Sequence, residues 1–378
     1  MNILIVGGGI GGLAAAIALA RAGHGITLVE RQPQFSPLGA GIVLAPNAAR
    51  ALASLGVDIA PVADTLPSMT ITREDGRVLQ RLDTRGEREG WGPSWALTRA
   101  ALGGALAGAL PARVEVLLGR EVARLDEVRQ GVEVTLEGES SARRVDLVVG
   151  ADGLRSAVRR LVVGEWPIRY SGVTCWRGLT ANPGFNAAVE AWGGRARAGA
   201  VPLRGGQLYY FLVLTAPRRA PAPSWPSGFR DAFGSFEPRF TRLLEQLDAA
   251  PLLHHDIEEL ERPVWGRGRV LLMGDAAHAM TPNQGQGAAM AIEDALALER
   301  VLAAGVKRAL ERYQALRAGR VRALQLESRR IGDVAHWRAP LARALRDALF
   351  RALPAAAGRA QLARLIRPGL ALLGGPPR

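Results

Sequence analysis

Six residues do most to limit what this chain can fold into. Gly7-Gly8-Gly9-Ile10-Gly11-Gly12 stands between an apolar run, Ile3–Val6, and an Ala-rich stretch, Leu13–Ala22, that stops at Gly23. A short apolar run bounded by glycine is the pattern of a strand buried on both faces. Leu13–Ala22 reads as the helix that follows, and Ile26–Glu30 as a second strand, giving a βαβ unit of about thirty residues. Gly7, Gly9 and Gly12 satisfy G-x-G-x-x-G. The first permits the tight turn, the second lets backbone approach a pyrophosphate, and the third lets helix and strand pack closely. The positive end of the helix then faces the phosphates. Glu30 follows Gly12 by eighteen residues, at a strand end, where a carboxylate can accept from a ribose diol.

The same texture returns twice. Val145–Gly150 and Val270–Met273 are again short apolar strands. Between these segments the pattern changes. Thr70–Arg73 and Arg77–Leu82 flank Asp75-Gly76 and predict a hairpin. Thr98–Leu110 predicts a helix; Val114–Leu118, Glu121–Val128 and Val132–Leu136 predict an antiparallel group. From Tyr170 to about Arg262, Trp, Tyr, Phe and Pro concentrate, and Gln207–Leu214 predicts a strand of a mixed sheet. The interleaving predicts a discontinuous nucleotide-binding domain whose insertions build a second domain.

Two further motifs carry chemistry. Val270–Met273 leads into Gly274-Asp275-Ala-Ala-His278, then Pro282, then Gly285-Gln286-Gly287. Asp275, just past a buried strand, can accept from a ribityl hydroxyl. Gly285 and Gly287 let a loop lie against a planar ring. The helix opening near Gly287 points its N-terminus at that ring, where it favours an anionic reduced flavin. This motif separates a flavin from a nicotinamide nucleotide, which the first cannot do. The third is Asp146–Gly150 followed by Asp152-Gly153, with Ser156 and Arg159 on the next turn. Alone it reads equally well as a structural strand-turn-helix corner.

The formal net charge is +13, and residues 301–378 hold +12 of it, sixteen Arg or Lys against four Asp or Glu. The remaining body is close to neutral and carries no nucleic-acid-binding motif, so no nucleic acid partner is expected. Arg343, Arg346, Arg351, Arg359, Arg364 and Arg367 lie among Leu and Ala; the expectation is a pair of helices packed on the body with a solvated arginine face, ahead of a peripheral membrane contact. The lone Cys175 allows no internal disulfide. The N-terminus lacks the basic start of a signal peptide, and no apolar run reaches about 18 residues, so a cytoplasmic enzyme is expected. No metal site is expected.

The three motifs, in this order and spacing, resemble the single-component flavoprotein aromatic hydroxylases, the para-hydroxybenzoate hydroxylase-like family, over roughly residues 1–320. This family contains salicylate, urate and quinolone hydroxylases and tetracycline-inactivating enzymes. The resemblance implies an α/β fold: a Rossmann-like FAD-binding domain (residues 1–68, 96–165 and 266–325), an inserted mixed β-sheet substrate domain (69–95 and 166–265), and a helical C-terminal segment (326–378). It implies FAD held by Gly7, Gly9, Gly11, Gly12, Glu30, Arg31, Val122, Asp152, Asp275, Pro282, Gly285, Gln286 and Gly287, and by Arg99, which matches the family's Arg-x-x-Leu helix in Arg99–Leu102. It implies that Asp152-Gly153 also serves NAD(P)H.

The implied reaction is reduction of FAD by NADH or NADPH, addition of O2 to give a flavin C4a-hydroperoxide, and transfer of one oxygen to a small electron-rich aromatic substrate. Arg197 and Tyr209 fall where urate hydroxylases place substrate-contacting residues and are the expected catalytic pair. Trp176-Arg177 is read as structural, and His278 as ordering the flavin loop. An FAD-dependent reductase of isoprenoid double bonds and an epoxidase of a lipophilic substrate share the fold and stay open. A halogenase does not, since its Trp-x-Trp-x-Ile-Pro motif is absent and the one lysine, Lys307, lies beyond the flavin helix.

Overall fold

The computed structural model describes residues 1–35, 40–247 and 253–374. Residues 36–39, 248–252 and 375–378, which fall within the expected domain ranges, lie outside the described residues.

Six strands form one sheet, in the order Gly266–Arg267, Val270–Leu272, Leu147–Gly150, Asn2–Val6, Gly25–Glu30, Glu115–Leu118. All pairings are parallel except the short Gly266–Arg267 hairpin. Leu4 and Val6 enter one apolar core, Ile3 and Ile5 another, which is why these strands are apolar throughout instead of alternating. The Ile10–Arg21 helix is buried for the same reason: nine consecutive residues from Gly12 to Ala20 have no solvent face. It packs on the Gly287–Leu302 helix, with Gly11 against Ala291.

The seven-stranded sheet runs Leu253–Leu260, Ile168–Ala181, Gln207–Thr215, Ala196–Leu203, Ala188–Trp192, Ser68–Arg73, Val78–Asp83. Its last two strands are the hairpin expected at Asp75-Gly76, joined to the rest by one parallel pairing with Ala188–Trp192. One face carries Trp176, Tyr210 and Leu212 against the helices Ser227–Phe233 and Pro238–Gln246. The other face looks toward the nucleotide-type sheet. The helix Arg99–Gly108 begins where expected, with Thr98 accepting from Ala101 N at 3.0 Å as its N-cap.

Two expectations fail. Glu115–Leu118 does not join the antiparallel group of Val122–Val128, Gly131–Leu136 and Arg143–Val145; it pairs in parallel with Gly25–Glu30. Val116 packs on one core and Leu117 on the other, the two-sided burial of a parallel strand. In the tail, two helices form, Pro340–Ala352 and Ala355–Leu370, but the first does not offer solvent an arginine face. Arg346 is buried, donating to Asp347 Oδ1 at 2.9 Å and to the Ala335 carbonyl at 3.0 Å, with its guanidinium 5.6 Å from the Trp192 ring. Arg343 reaches Glu74. The leucines take the outside instead.

Candidate active site

The glycine loop is built by contacts that leave no room for side chains on its inner side. Gly7 has φ +110°, and a Cβ on Gly12 would lie 1.9 Å from the Gly7 carbonyl oxygen. On the outer side a Cβ on Gly9 would meet nothing within 4 Å among the described residues, at the helix N-terminus. Glu30 is fixed beside it, accepting from Gly8 N at 2.6 Å and from Gln32 N at 2.9 Å. Each carboxylate oxygen retains a lone pair for a diol. Arg31 is exposed just beyond. Val122 is buried in the core with Leu4 and Val29, so only its backbone can reach a ligand.

Across the sheet, Gly274 has φ +54° and turns the chain so that Asp275 is exposed at the start of Asp275–His278. This turn rests on a buried polar network. Asp294 Oδ2 accepts from Gly274 N at 2.9 Å and from His278 Nε2 at 2.6 Å; its Oδ1 accepts from Arg317 Nε at 2.7 Å. Burial alone would raise the Asp294 carboxyl, but His278 and Arg317 bring it down to about 2. Arg317 also meets Glu293 at 2.8 Å, and Asn47 bridges Glu293 and Gln286 at 2.8 and 3.1 Å. Gln286 is thereby held at the mouth of the Gly287–Leu302 helix. Pro282, Gly285 and Gly287 lie along the open edge of the same loop, where Cβ atoms on the two glycines would meet nothing within 4 Å among the described residues. Both amide atoms of Gln284 are buried without a partner among the described residues. Open backbone at two glycine loops, a diol-ready carboxylate and an orphaned amide form a cradle that fits FAD.

Asp152 is placed differently from a freely offered ligand. Its oxygens accept from Ser156 Oγ at 2.5 Å and Val158 N at 3.1 Å, capping the Ala157–Val163 helix. Arg159, buried behind it, donates to the Ala276 carbonyl at 2.8 Å and so pins this corner to the Gly274–Asp275 turn.

Above the cradle stands the inner face of the seven-stranded sheet. Register puts Tyr209 beside Val201, Phe211 beside Gly199 and Val213 beside Arg197, all on that face. Cys175, Val173 and Ile257 continue it. At one end are Tyr209, Arg177, His255 and Arg99. Arg177 donates to His255 Nε2. Burial, then Arg177, pushes His255 down to about 4, so it stays neutral. Burial pushes the Tyr209 phenol up against the pull of Arg177. Arg99 is exposed, yet displaced solvent and then Arg177 hold its pKa below the usual value. That combination describes a side chain lining an open concavity.

At the other end, roughly 13 Å along the strands at ~3.3 Å per residue, is Arg197. It is 4% exposed, donates to Glu190 at 3.1 Å and Asn283 at 2.8 Å, and its Nε has no partner among the described residues. It lines a cavity of about 290 Å³ with Val173, Ile257, Thr281, Asn283 and His336. His336 Nδ1 donates to the Gly332 carbonyl at 2.9 Å, which leaves its Nε2 lone pair buried and without a partner among the described residues.

Sequence reasoning missed Asp294, Glu293, Arg317, Asn283 and His336. Glu293-Asp294 inside the otherwise apolar Gly287–Leu302 helix was a readable signal, since adjacent carboxylates there need buried partners. Nothing in the sequence marked Arg317 as their partner, or His336 as a neighbour of Arg197.

Comparison with known proteins agrees with this geometry. Residues 1–328 match the family model described as "FAD binding domain". Aurachin C monooxygenase/isomerase of Stigmatella aurantiaca is 35% identical over 362 residues, covering 93% of this chain and 94% of that protein. The 2-heptyl-3-hydroxy-4(1H)-quinolone synthase of Pseudomonas aeruginosa is 36% identical over 373 residues, covering 95% and 96%. The solved structure of HpxO of Klebsiella pneumoniae, complexed with FAD and uric acid, superposes with a TM-score of 0.87 at 27% identity, covering 100% of this chain and 97% of that one.

Proposed function

The chain belongs to the FAD binding domain family and is an FAD-dependent monooxygenase, and on that premise we propose that its substrate is a planar, electron-rich heteroaromatic ring bearing both a hydrogen-bond donor and an anionic or carbonyl oxygen. The observation that supports this substrate is the apolar sheet face that ends in a buried arginine with a free N–H and a histidine with a free lone pair. Val173, Cys175, Val213 and Ile257 suit the faces of a flat guest and keep water away. Arg197 Nε then donates to the ring's oxygen and draws charge toward it. His336 Nε2 accepts from a ring N–H or O–H. Tyr209, kept as a phenol, orients the guest at the cradle end.

On this reading Gly7, Gly9, Gly12 and Glu30 hold the pyrophosphate and ribose of FAD, Asp275 the ribityl chain, and Gly285–Gly287 the ring. Bound FAD supplies electron transfer from NAD(P)H and the activation of O2. We assign cofactor binding to the parallel sheet and substrate binding to the seven-stranded sheet, in a cytoplasmic enzyme with ready access to NAD(P)H.

The test is a panel of heteroaromatic, phenolic and polyketide-like compounds scored for stimulated NADPH oxidation, with O2 uptake followed in parallel. A substrate should consume O2 and yield a product carrying one ¹⁸O atom from labelled gas. NADPH oxidation that saturates double bonds without O2 uptake would replace this reading with a reductase.

A further inference from the structure

The Pro340–Ala352 helix is turned inside out for a surface helix. Leu341, Leu345 and Leu349 recur every fourth residue and so share one side, and Leu353 extends the row at the C-cap. They are 86%, 56%, 55% and 43% exposed. Ala344, Ala348 and Ala352, also exposed, fill the gaps between them. The polar side chains point the other way, Arg346 and Asp347 into the body and Arg343 to Glu74. Single exposed leucines are ordinary; a contiguous row along a whole helix marks a surface that something covers.

Charge selects between a second copy of the chain and a lipid surface. Arg338, Arg351, Arg359 and Arg364 are exposed on this same segment, within a stretch that holds +12 of the molecule's +13. Two copies pressed row to row would bring together the arginines at the ends of the row, Arg338 and Arg351. Anionic headgroups would neutralise them. We propose that the Leu341–Leu353 row seats the enzyme on an anionic membrane surface, with the leucines in the headgroup–acyl boundary and the arginines on lipid phosphates. None of the described helices is long and apolar enough to cross a membrane, so the contact is peripheral. Trp337 and Arg338, at the head of the row, also line the cavity that Arg197 and His336 share. Seating the row therefore brings that cavity to the membrane face, where a lipophilic ring compound concentrates. The surface itself does not depend on the substrate assignment.

The experiment sediments FAD-loaded enzyme with phosphatidylglycerol/phosphatidylcholine vesicles and with phosphatidylcholine alone. Binding should appear on the anionic vesicles and fall in about 0.5 M salt, where charges are screened within a few ångströms. Leu345→Gln/Leu349→Gln should lower the partition coefficient by about tenfold or more, with FAD content and melting temperature unchanged. Arg351→Gln/Arg359→Gln should weaken binding to anionic vesicles only. Light scattering of the same proteins reports self-association. The proposal is overturned if wild type does not partition onto anionic vesicles. It is equally overturned if the leucine variant partitions as well as wild type, or if wild type is a dimer that this variant makes monomeric.

Discussion

Replacing Asp294 by Asn should damage the fold and the cofactor site together. Three N–H groups converge on this carboxylate: Gly274 N and His278 Nε2 on one oxygen, Arg317 Nε on the other. An Asn of the same shape has one oxygen and one NH2. Whichever way it is turned, its NH2 faces an obligate donor, either Gly274 N–H or Arg317 Nε–H. A buried donor left unpaired costs about 1–3 kcal/mol, and a buried ion pair broken from one side about 3–5 kcal/mol. Arg317 keeps Glu293 at 2.8 Å, which softens the second loss, so about 3 kcal/mol is expected. With an unfolding entropy of roughly 2.1 cal/mol/K per residue over the whole chain, the apo-protein should melt about 4 °C lower. Gly274 also loses the anchor that sets its turn, so FAD affinity should fall as well. Asp275→Ala provides the contrast: exposed and outside the network, it should weaken FAD binding while leaving the apo melting temperature alone. Calorimetry of the apo-proteins and FAD titration by flavin fluorescence measure both. If Asp294→Asn melts with wild type and binds FAD equally, the network does not hold the flavin turn and the reasoning fails.

Asp275→Ala should also weaken FAD binding more than Glu30→Gln, because Glu30 shares its oxygens with Gly8 and Gln32 and, on the proposed assignment, serves the ribose end; titration of both apo-variants decides the order. Arg197→Ala should raise the KM for an authentic substrate and increase hydrogen peroxide released per NADPH, with FAD content unchanged; intact coupling would place Arg197 outside the site. His255 and His336 are held at about 4 and about 3, below the usual imidazole value, chiefly by burial. The folded state thus refuses protons that the unfolded chain accepts, so stability is full above about pH 6.5 and declines as pH falls toward 4. Each histidine contributes a slope of at most about 1.4 kcal/mol per pH unit, less where solvent screens it. Urea denaturation across that window should give a flatter profile for His255→Gln/His336→Gln than for wild type.

What was legible in the sequence was local. Gly7–Gly12 announces its turn because the requirement, backbone with no Cβ, is met within six residues. The Gly274–Asp275 turn is legible for the same reason. What holds that turn is not, since Asp294 and Arg317 lie 20 and 43 residues further on and meet only in three dimensions. The sheet that Glu115–Leu118 joins is not legible, because apolar content fixes burial but not the partner's direction. The tail shows a third limit. Leucine every fourth residue gives a helix the same periodicity whether the row faces core or solvent, and an abundance of arginine does not say which arginines find partners. Glu74 at the hairpin turn and the Trp192 ring of the seven-stranded sheet, together with Asp347 beside Arg346 on the helix itself, decide that Arg343 and Arg346 turn inward.

The parallel sheet has a consequence for how the protein is made. Its middle strand, Leu147–Gly150, pairs on one side with residues 3–6 and on the other with 270–272. The Gly287–Leu302 helix, against which Gly11 packs, comes later still. On the ribosome, at ~5–20 residues per second, the first glycine loop emerges many seconds before the segments that complete its cradle. Such distant pairings fold slowly once the chain is free. The nascent N-terminal half therefore waits with an apolar strand edge unpaired, open to chaperones and to aggregation, and cofactor loading becomes a late, post-translational event. Expression with ample riboflavin should raise the yield of folded enzyme more than it raises the yield of any fragment ending before Val270.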